Sequence, residues 1–318
     1  MIRRQLSRRD FIAYGLAAVG ALAVPALFAE NDKIKLPFAE FRKKDKYILV
    51  KTNSKPSHIT GVFPNAADPY GIGEEVSEYK ISSNPTFAKK PIDVYDRYCR
   101  FGVAVNGVIF DPAGPAWDEG WYIEVLSPNA SKYLGIDMNN AHVQPYDRPG
   151  GYLEGGGEYH YHGFPSNLYG ELTKNGDATS HILLGYAADG FAIYAPIFAS
   201  KGRSGKATTT LLRSSYRLKT GEREAIGKEK RVPAGEYDGT FTADYEYVNG
   251  YGDLDEFNGR FGVTPEYPNG AYYYVVTFEF PFVSRKLRGE VIDDRFFHKK
   301  APGKEQTPKE LASIPAKK

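Results

Sequence analysis

The chain has 318 residues, a formal net charge of +2, one cysteine and an aromatic content of 14%. A single cysteine excludes an intramolecular disulfide and a clustered-thiolate metal site, and so many aromatics with only short like-charge runs exclude a disordered chain. The 33 glycines, 21 prolines, 24 tyrosines and 19 phenylalanines favour turns and strands over long helices, so the expected fold is mainly β, a single compact domain of short antiparallel strands and long loops.

The amino terminus reads MIRRQLSRRDFIAYGLAAVGALAVPALFAEN. A basic start, Ser7-Arg8-Arg9-Asp10-Phe11, an Ala- and Gly-rich apolar stretch and then small residues resemble a twin-arginine export signal. Residues 1–29 are read as that signal, with cleavage after Ala26 or Ala29, and the mature protein is expected in the periplasm or secreted. The apolar stretch from Phe11 to Phe28 is near the minimum for a membrane span, so an uncleaved signal would serve as an anchor, whereas its removal leaves no span. Without residues 1–29, 37 basic residues face 38 acidic ones, a net charge of −1. That balance gives no electrostatic ground for a nucleic-acid partner.

Residues 30–45 are charged and read as a tether ahead of a domain spanning 46–298. KYILVKT (46–52) is the first strand, β-branched and aromatic, and NSKPSHITGVFPNAADPYGIG follows as a loop. RYCRFGVAVNGVIFDPAG reads as a β-hairpin with Asn106-Gly107 as its two-residue turn, and Cys99 within it as a buried structural thiol. GWYIEVL is a further strand, and HILLGYAADGFAIYAPIF is a second hairpin around Asp189-Gly190. Residues 200–235 are basic and poor in large apolar side chains, and are read as a solvent-facing insertion. Aromatic strands then resume, with Asp253, Asp255, Glu256 and Asn258 in one acidic turn whose spacing is not that of an EF-hand loop. Residues 299–318 are Lys- and Pro-rich and expected to be disordered. One internal echo stands out: GEYHYH and NGAYYYVV share a Gly-x-Tyr-x-Tyr frame.

Two of the six histidines lie one residue apart in GEYHYHG. Successive side chains of a strand alternate faces, so His160 and His162 share one face while Tyr159 and Tyr161 fill the other. Two imidazoles spaced in this way can converge on one ion, although a hydrogen-bonded surface pair has the same sequence. Three or four ligands are usual. His142 precedes the motif, His58 sits in the loop KPSHITG, His181 begins the apolar run SHILLGY, and His298 adjoins the charged tail.

NSKPSHITGVFPNAADP, FGVAVNGVIF, NNAH, GEYHYHGFP, LLGYAADGFAIYAP, DLDEFNGRFGVTPEYPNGAYYY and FPFV occur in the order seen in the YHYH family of exported proteins, which the chain resembles over residues 47–290. The resemblance implies that His58, His142, His160 and His162, with Asp189 and Gly190, fall at motif positions of the family. The chain departs from the family at Tyr273, where members often carry a histidine between tyrosines, which puts a two-metal arrangement in doubt.

The expectation is one transition-metal ion held by His58, His142, His160 and His162, with His181 and Asp189 as secondary candidates. Imidazole suits copper and zinc, and a chain with two Met and one Cys is poorly equipped for Cu(I). Cu(II) or Zn(II) is the expected ion, copper first. Two other classes stay open. A metal-dependent hydrolase or oxidoreductase would need an acid or base nearby, for which Glu158 and Asp189 are candidates. A module without metal would bind a glycan, a peptide or another small molecule by stacking on its tyrosines. A serine hydrolase has little support, since no Gly-x-Ser-x-Gly elbow is present.

Overall fold

The computed structural model describes residues 37–298 apart from 65–69, 115, 119, 131–150, 154–156, 175–180, 202–206 and 228–231. The expected signal, the tail and His142 lie outside the described residues. The fold is mainly β, with two short helices among the described residues and several small antiparallel sheets around one larger one.

The first sheet joins β1 (Ala39–Lys43), β2 (Tyr47–Thr52) and β3 (Ser77–Ser82) in that order, all antiparallel. β1 lies inside the stretch expected as a tether. Its alternation of Ala39 and Phe41 with charged neighbours is enough for an edge strand, and Phe41 packs on the core with its ring 6.2 Å from that of Tyr186. After β4 (Phe87–Asp93) and the single-turn helix α1 (Val94–Arg97) comes the hairpin of β5 (Gly102–Ala104) and β6 (Ile109–Phe110). β7 (Ala116–Asp118) and β8 (Trp121–Tyr122) form a small ribbon, so the strand expected over GWYIEVL is reduced to two residues and an isolated bridge from Ile123 to Phe241. β9 (Gly151–Leu153), β10 (Tyr159–Tyr161), helix α2 (Ser166–Thr173) and the hairpin of β11 (Leu183–Ala187) and β12 (Ala192–Tyr194) follow.

Between residues 197 and 247 run β13 (Ile197–Lys201), β14 (Ala207–Leu211), β15 (Tyr216–Leu218), β16 (Glu222–Arg223), β17 (Gly235–Glu236) and β18 (Tyr245–Tyr247). The stretch read as a solvent-facing insertion is therefore partly inside. Ser214, Ser215 and Arg223 are buried. Arg223 is accommodated by an ion pair of 2.6 Å to the buried Asp244 and by the face of Phe241, 5.1 Å away. A guanidinium with both partners can be taken out of water at a modest cost, which composition alone does not reveal. β19 (Gly259–Gly262), β20 (Ala271–Val275) and β21 (Lys286–Gly289) complete the strands.

The eight-stranded sheet runs β19-β20-β12-β11-β5-β6-β10-β9, and its two halves are built alike. In one half the β5–β6 hairpin pairs through β6 in parallel with β10, whose other edge takes β9 antiparallel. In the other half the β11–β12 hairpin pairs through β12 in parallel with β20, whose other edge takes β19 antiparallel. The halves meet where β11 pairs antiparallel with β5, and Tyr186 opposite Val103 marks a local two-fold axis.

The equivalence extends to single residues. In each hairpin an alanine carbonyl accepts from the glycine three residues on, Gly107 to Ala104 and Gly190 to Ala187, both at 2.8–2.9 Å. The same alanines donate to the carbonyls of Val108 and Phe191. Both glycines have positive φ, 87° and 97°, whereas Asn106 and Asp189 do not. These are three-residue hairpin turns closed by a bulge at glycine, in place of the expected two-residue turn, which needs positive φ at both central residues. Gly157 and Gly270, each two residues before a Tyr-x-Tyr run, also match at φ 86° and 82°. Gly102 and Gly185 face each other's strand so closely that a Cβ would lie 2.4 Å from the Tyr186 carbonyl oxygen and 2.3 Å from that of Val103.

Candidate metal centre

The register makes His160 the counterpart of Tyr273, because Ile109 opposes the first and Ala192, at the same place in its hairpin, opposes the second. Tyr161 then matches Tyr274, and His162 matches Val275. The match holds chemically on the tyrosine side. Asn106 donates from Nδ2 to the Tyr161 hydroxyl at 2.9 Å, and the Tyr274 hydroxyl donates to Asp189 at 2.6 Å. On the opposite side the halves differ, and only one carries histidines at these strand positions.

His160 and His162 are both 3% exposed, and their Nε2 atoms lie 3.1 Å apart. Two metal–nitrogen bonds of about 2.05 Å at a tetrahedral angle would hold their nitrogens about 3.3 Å apart, so the rings already stand at nearly the chelating separation. His160 Nδ1 lies 3.1 Å from the Glu158 carbonyl oxygen. A carbonyl only accepts, so Nδ1 carries the proton and Nε2 presents its lone pair to His162. The Pro112 carbonyl is a polar neighbour of His162 that raises its pKa. A neutral His162 with its one N–H at Nε2 donates to the His160 Nε2 lone pair at 3.1 Å. An ion bound to both Nε2 atoms would take the place of that proton.

The surroundings keep His162 neutral. Burial, then the neighbouring His160 and the Arg285 cation, hold His162 well below the usual imidazole value, against Asp111 and the Pro112 carbonyl. A neutral ring is the form that ligates. Asp111 follows β6 where His162 follows β10, and its amide donates to the Tyr161 carbonyl at 3.0 Å. Burial alone would raise its carboxyl, but the hydrogen bond from His298 and the charges of His160, His298 and His162 outweigh it and bring it below the ordinary range. His298 Nε2 lies 3.1 Å from Asp111 Oδ2. Asp111 and His298 were not apparent from sequence as neighbours of the motif; His298 follows 136 residues after His162, and only the strand register places Asp111 alongside. Arg285 donates to the Pro112 carbonyl at 2.6 Å and to Glu124 at 2.5 Å, forming a buried ion pair behind the site.

The other sequence candidates lie elsewhere. His58 is on the tyrosine side of β10: its Nε2 meets the Tyr161 hydroxyl at 2.6 Å and its Nδ1 the Ile59 carbonyl at 3.0 Å. A chain of donors runs from Asn106 through Tyr161 to His58 and Ile59, which occupies both His58 nitrogens. His181 packs on Phe198 with ring centroids 3.6 Å apart and lies 6.5 Å from Tyr273, in the half without the dyad. Burial, then Arg260, lowers it to about 4. Asp189 is held by Tyr274 and by the Gly289 amide at 2.8 Å, and burial outweighs these hydrogen bonds to raise it to about 6. Glu158 binds Arg100 at 2.5 Å. In the acidic turn, Asp255 accepts from the Phe257 and Gly259 amides and pairs with Arg288 at 2.8 Å, while Asn258 has φ 53°. Cys99 is buried, and burial raises its thiol above the ordinary range. His142 lies outside the described residues, and among the described residues no three His, Cys, Asp or Glu side chains form a complete metal cage.

No curated protein and no solved structure matches the chain. The family model described as YHYH protein matches residues 78–289, a span that covers both halves of the large sheet, including the histidine dyad and the Tyr273 strand. The chain belongs to the YHYH protein family.

Proposed function

We propose that this is an exported transition-metal-binding protein that holds one Zn(II) or Cu(II) ion at the His160–His162 dyad. The observation that carries the reading is the pair of Nε2 atoms 3.1 Å apart, with the His160 proton committed to the Glu158 carbonyl. The dyad supplies two ligands. His142, from the 131–150 stretch, is assigned the third position, and Asp111 balances the ion's charge. Imidazole donors suit a borderline divalent ion. A thiol as deeply buried as Cys99 is not on offer as a soft donor for Cu(I). Export rests on the signal-like first 29 residues. Asp189 is in the other half of the sheet and Glu158 is tied to Arg100, so the reading assigns neither as a catalytic acid or base.

The test is metal content by mass spectrometry on the full-length protein exported through its own signal, beside H160A/H162A and H142A. One equivalent of zinc or copper per chain, lost in the double variant and weakened in H142A, supports the reading. A double variant that keeps the wild-type metal content overturns it.

A further inference from the structure

On and around the β15–β18 ribbon, Arg213, Tyr216, Arg217, Leu218, Tyr245, Tyr251, Glu279 and Phe280 line a surface cleft of about 250 Å³. It shares no residue with the histidine dyad, and nothing in the metal reading uses it. We propose that this cleft is a binding site for a neutral carbohydrate, taking one sugar ring of an oligosaccharide.

Three observations point to that ligand class. Half of the lining is aromatic, and the rings are held rigidly: Tyr245 stacks on Phe280 at 3.9 Å and 5°, and Tyr216 meets Phe280 edge-on at 5.5 Å. Tyr251 stays 46% exposed, an amphipathic ring with one face for a sugar's C–H groups and a hydroxyl for its oxygens. The polar groups are paired in charge. Arg217 is bound through Nε and Nη2 to Glu246 at 2.9 and 2.8 Å, Arg213 lies 4.0 Å from Glu279, and the Glu279 carboxylate also accepts from the Ser214 amide at 3.0 Å. A site built for phosphate or sulfate would leave its guanidiniums uncompensated. Here each guanidinium has a carboxylate partner, which leaves a nearly neutral rim with both donors and acceptors for hydroxyl groups. Both guanidiniums also lie near the Tyr251 ring, 5.7 and 5.9 Å from its centroid. The volume is below the ~300–1,000 Å³ of pockets for drug-sized molecules, which suits a single ring with the rest of the chain in solvent.

The experiment is calorimetric titration of the full mature protein with neutral hexasaccharides of β-linked glucose, xylose and N-acetylglucosamine, with oligogalacturonate and inorganic phosphate as acidic probes. Y251A and R213A change exposed side chains, and their thermal midpoints report whether the fold is kept; H160A/H162A serves as the metal-site control. Saturable binding of at least one neutral sugar, weakened 10-fold or more by Y251A and by R213A and unchanged in H160A/H162A, is expected. Absence of heat with every neutral sugar at millimolar concentration overturns the proposal. So does binding confined to the acidic probes, or sugar binding that survives both substitutions. The H160A/H162A arm separates this outcome from failure of the metal reading, since loss of metal without loss of sugar binding concerns only the dyad.

Discussion

A single carbonyl decides what His160 can do. With the Glu158 oxygen fixing its Nδ1 proton, Nε2 is committed as a lone pair, and the backbone preceding β10 sets the ring's role. Asp111 is the residue whose influence on the dyad can be isolated. D111N keeps its size and removes the charge, and partners of this kind typically tune metal affinity 10–100-fold, so competition titration with a chelator should give an affinity lower by that range. An unchanged affinity would mean that Asp111 serves only His298. His58 tests the opposite case. H58F removes the acceptor of the Tyr161 hydroxyl and is expected to lower stability by about 1 kcal/mol in denaturant unfolding, with one metal per chain retained.

His181 gives a pH signature independent of metal. Its unfolded value is near 6.5 and its folded value about 4, so between those limits the unfolded chain takes up a proton that the folded protein refuses, and stability falls as pH falls. Asp189 works in the other direction: with a folded value of about 6 against 3.8 unfolded, its contribution is full below 3.8 and is lost as pH rises through 6. H181Q removes the first effect and keeps the second. The thermal midpoint of H181Q should therefore rise relative to wild type as pH is lowered from 7 to 4.5. A pH-independent difference would contradict the assignment.

Among the elements, the two bulged hairpins and the tyrosine strands parallel to them form the unit from which the large sheet is made twice. Asn106-Gly107 and Asp189-Gly190 are recognisable as turns because few residues other than glycine tolerate the backbone they need. The bulge that makes each a three-residue turn depends on which residue takes positive φ, and periodicity is silent about that. GEYHYH and NGAYYYVV were readable as an echo, but the duplication itself became plain only through register. Gly102 and Gly185 are its tightest points, and a methyl group at either would collide with backbone rather than with a flexible side chain. G102A and G185A are each expected to lower unfolding free energy by about 1–3 kcal/mol, measured by denaturant unfolding. Either variant matching wild-type stability would show that the central pair of strands has more room than its geometry indicates.

At the scale of the whole molecule, the duplicated sheet offers two equivalent places for a dyad and fills one. His160 and His162 occupy it in the first half; Tyr273 and Val275 take the same positions in the second, where they pack with Tyr194, Leu212 and Leu254 in a hydrophobic cluster. Stoichiometry should accordingly be one metal per chain. The β class and the dyad's shared face were legible because composition and strand alternation are local. The separation of His58 from the dyad was not, because it depends on which side of β10 a loop about 100 residues earlier comes to rest. Nor was the arrival of His298 at Asp111, a contact across 187 residues. The most direct measurement is anomalous diffraction at the zinc edge from crystals of the zinc-loaded protein. A single strong peak about 2.0–2.1 Å from the Nε2 atoms of both His160 and His162 is the predicted result. A crystal that holds zinc elsewhere, with no density between those two nitrogens, would contradict it.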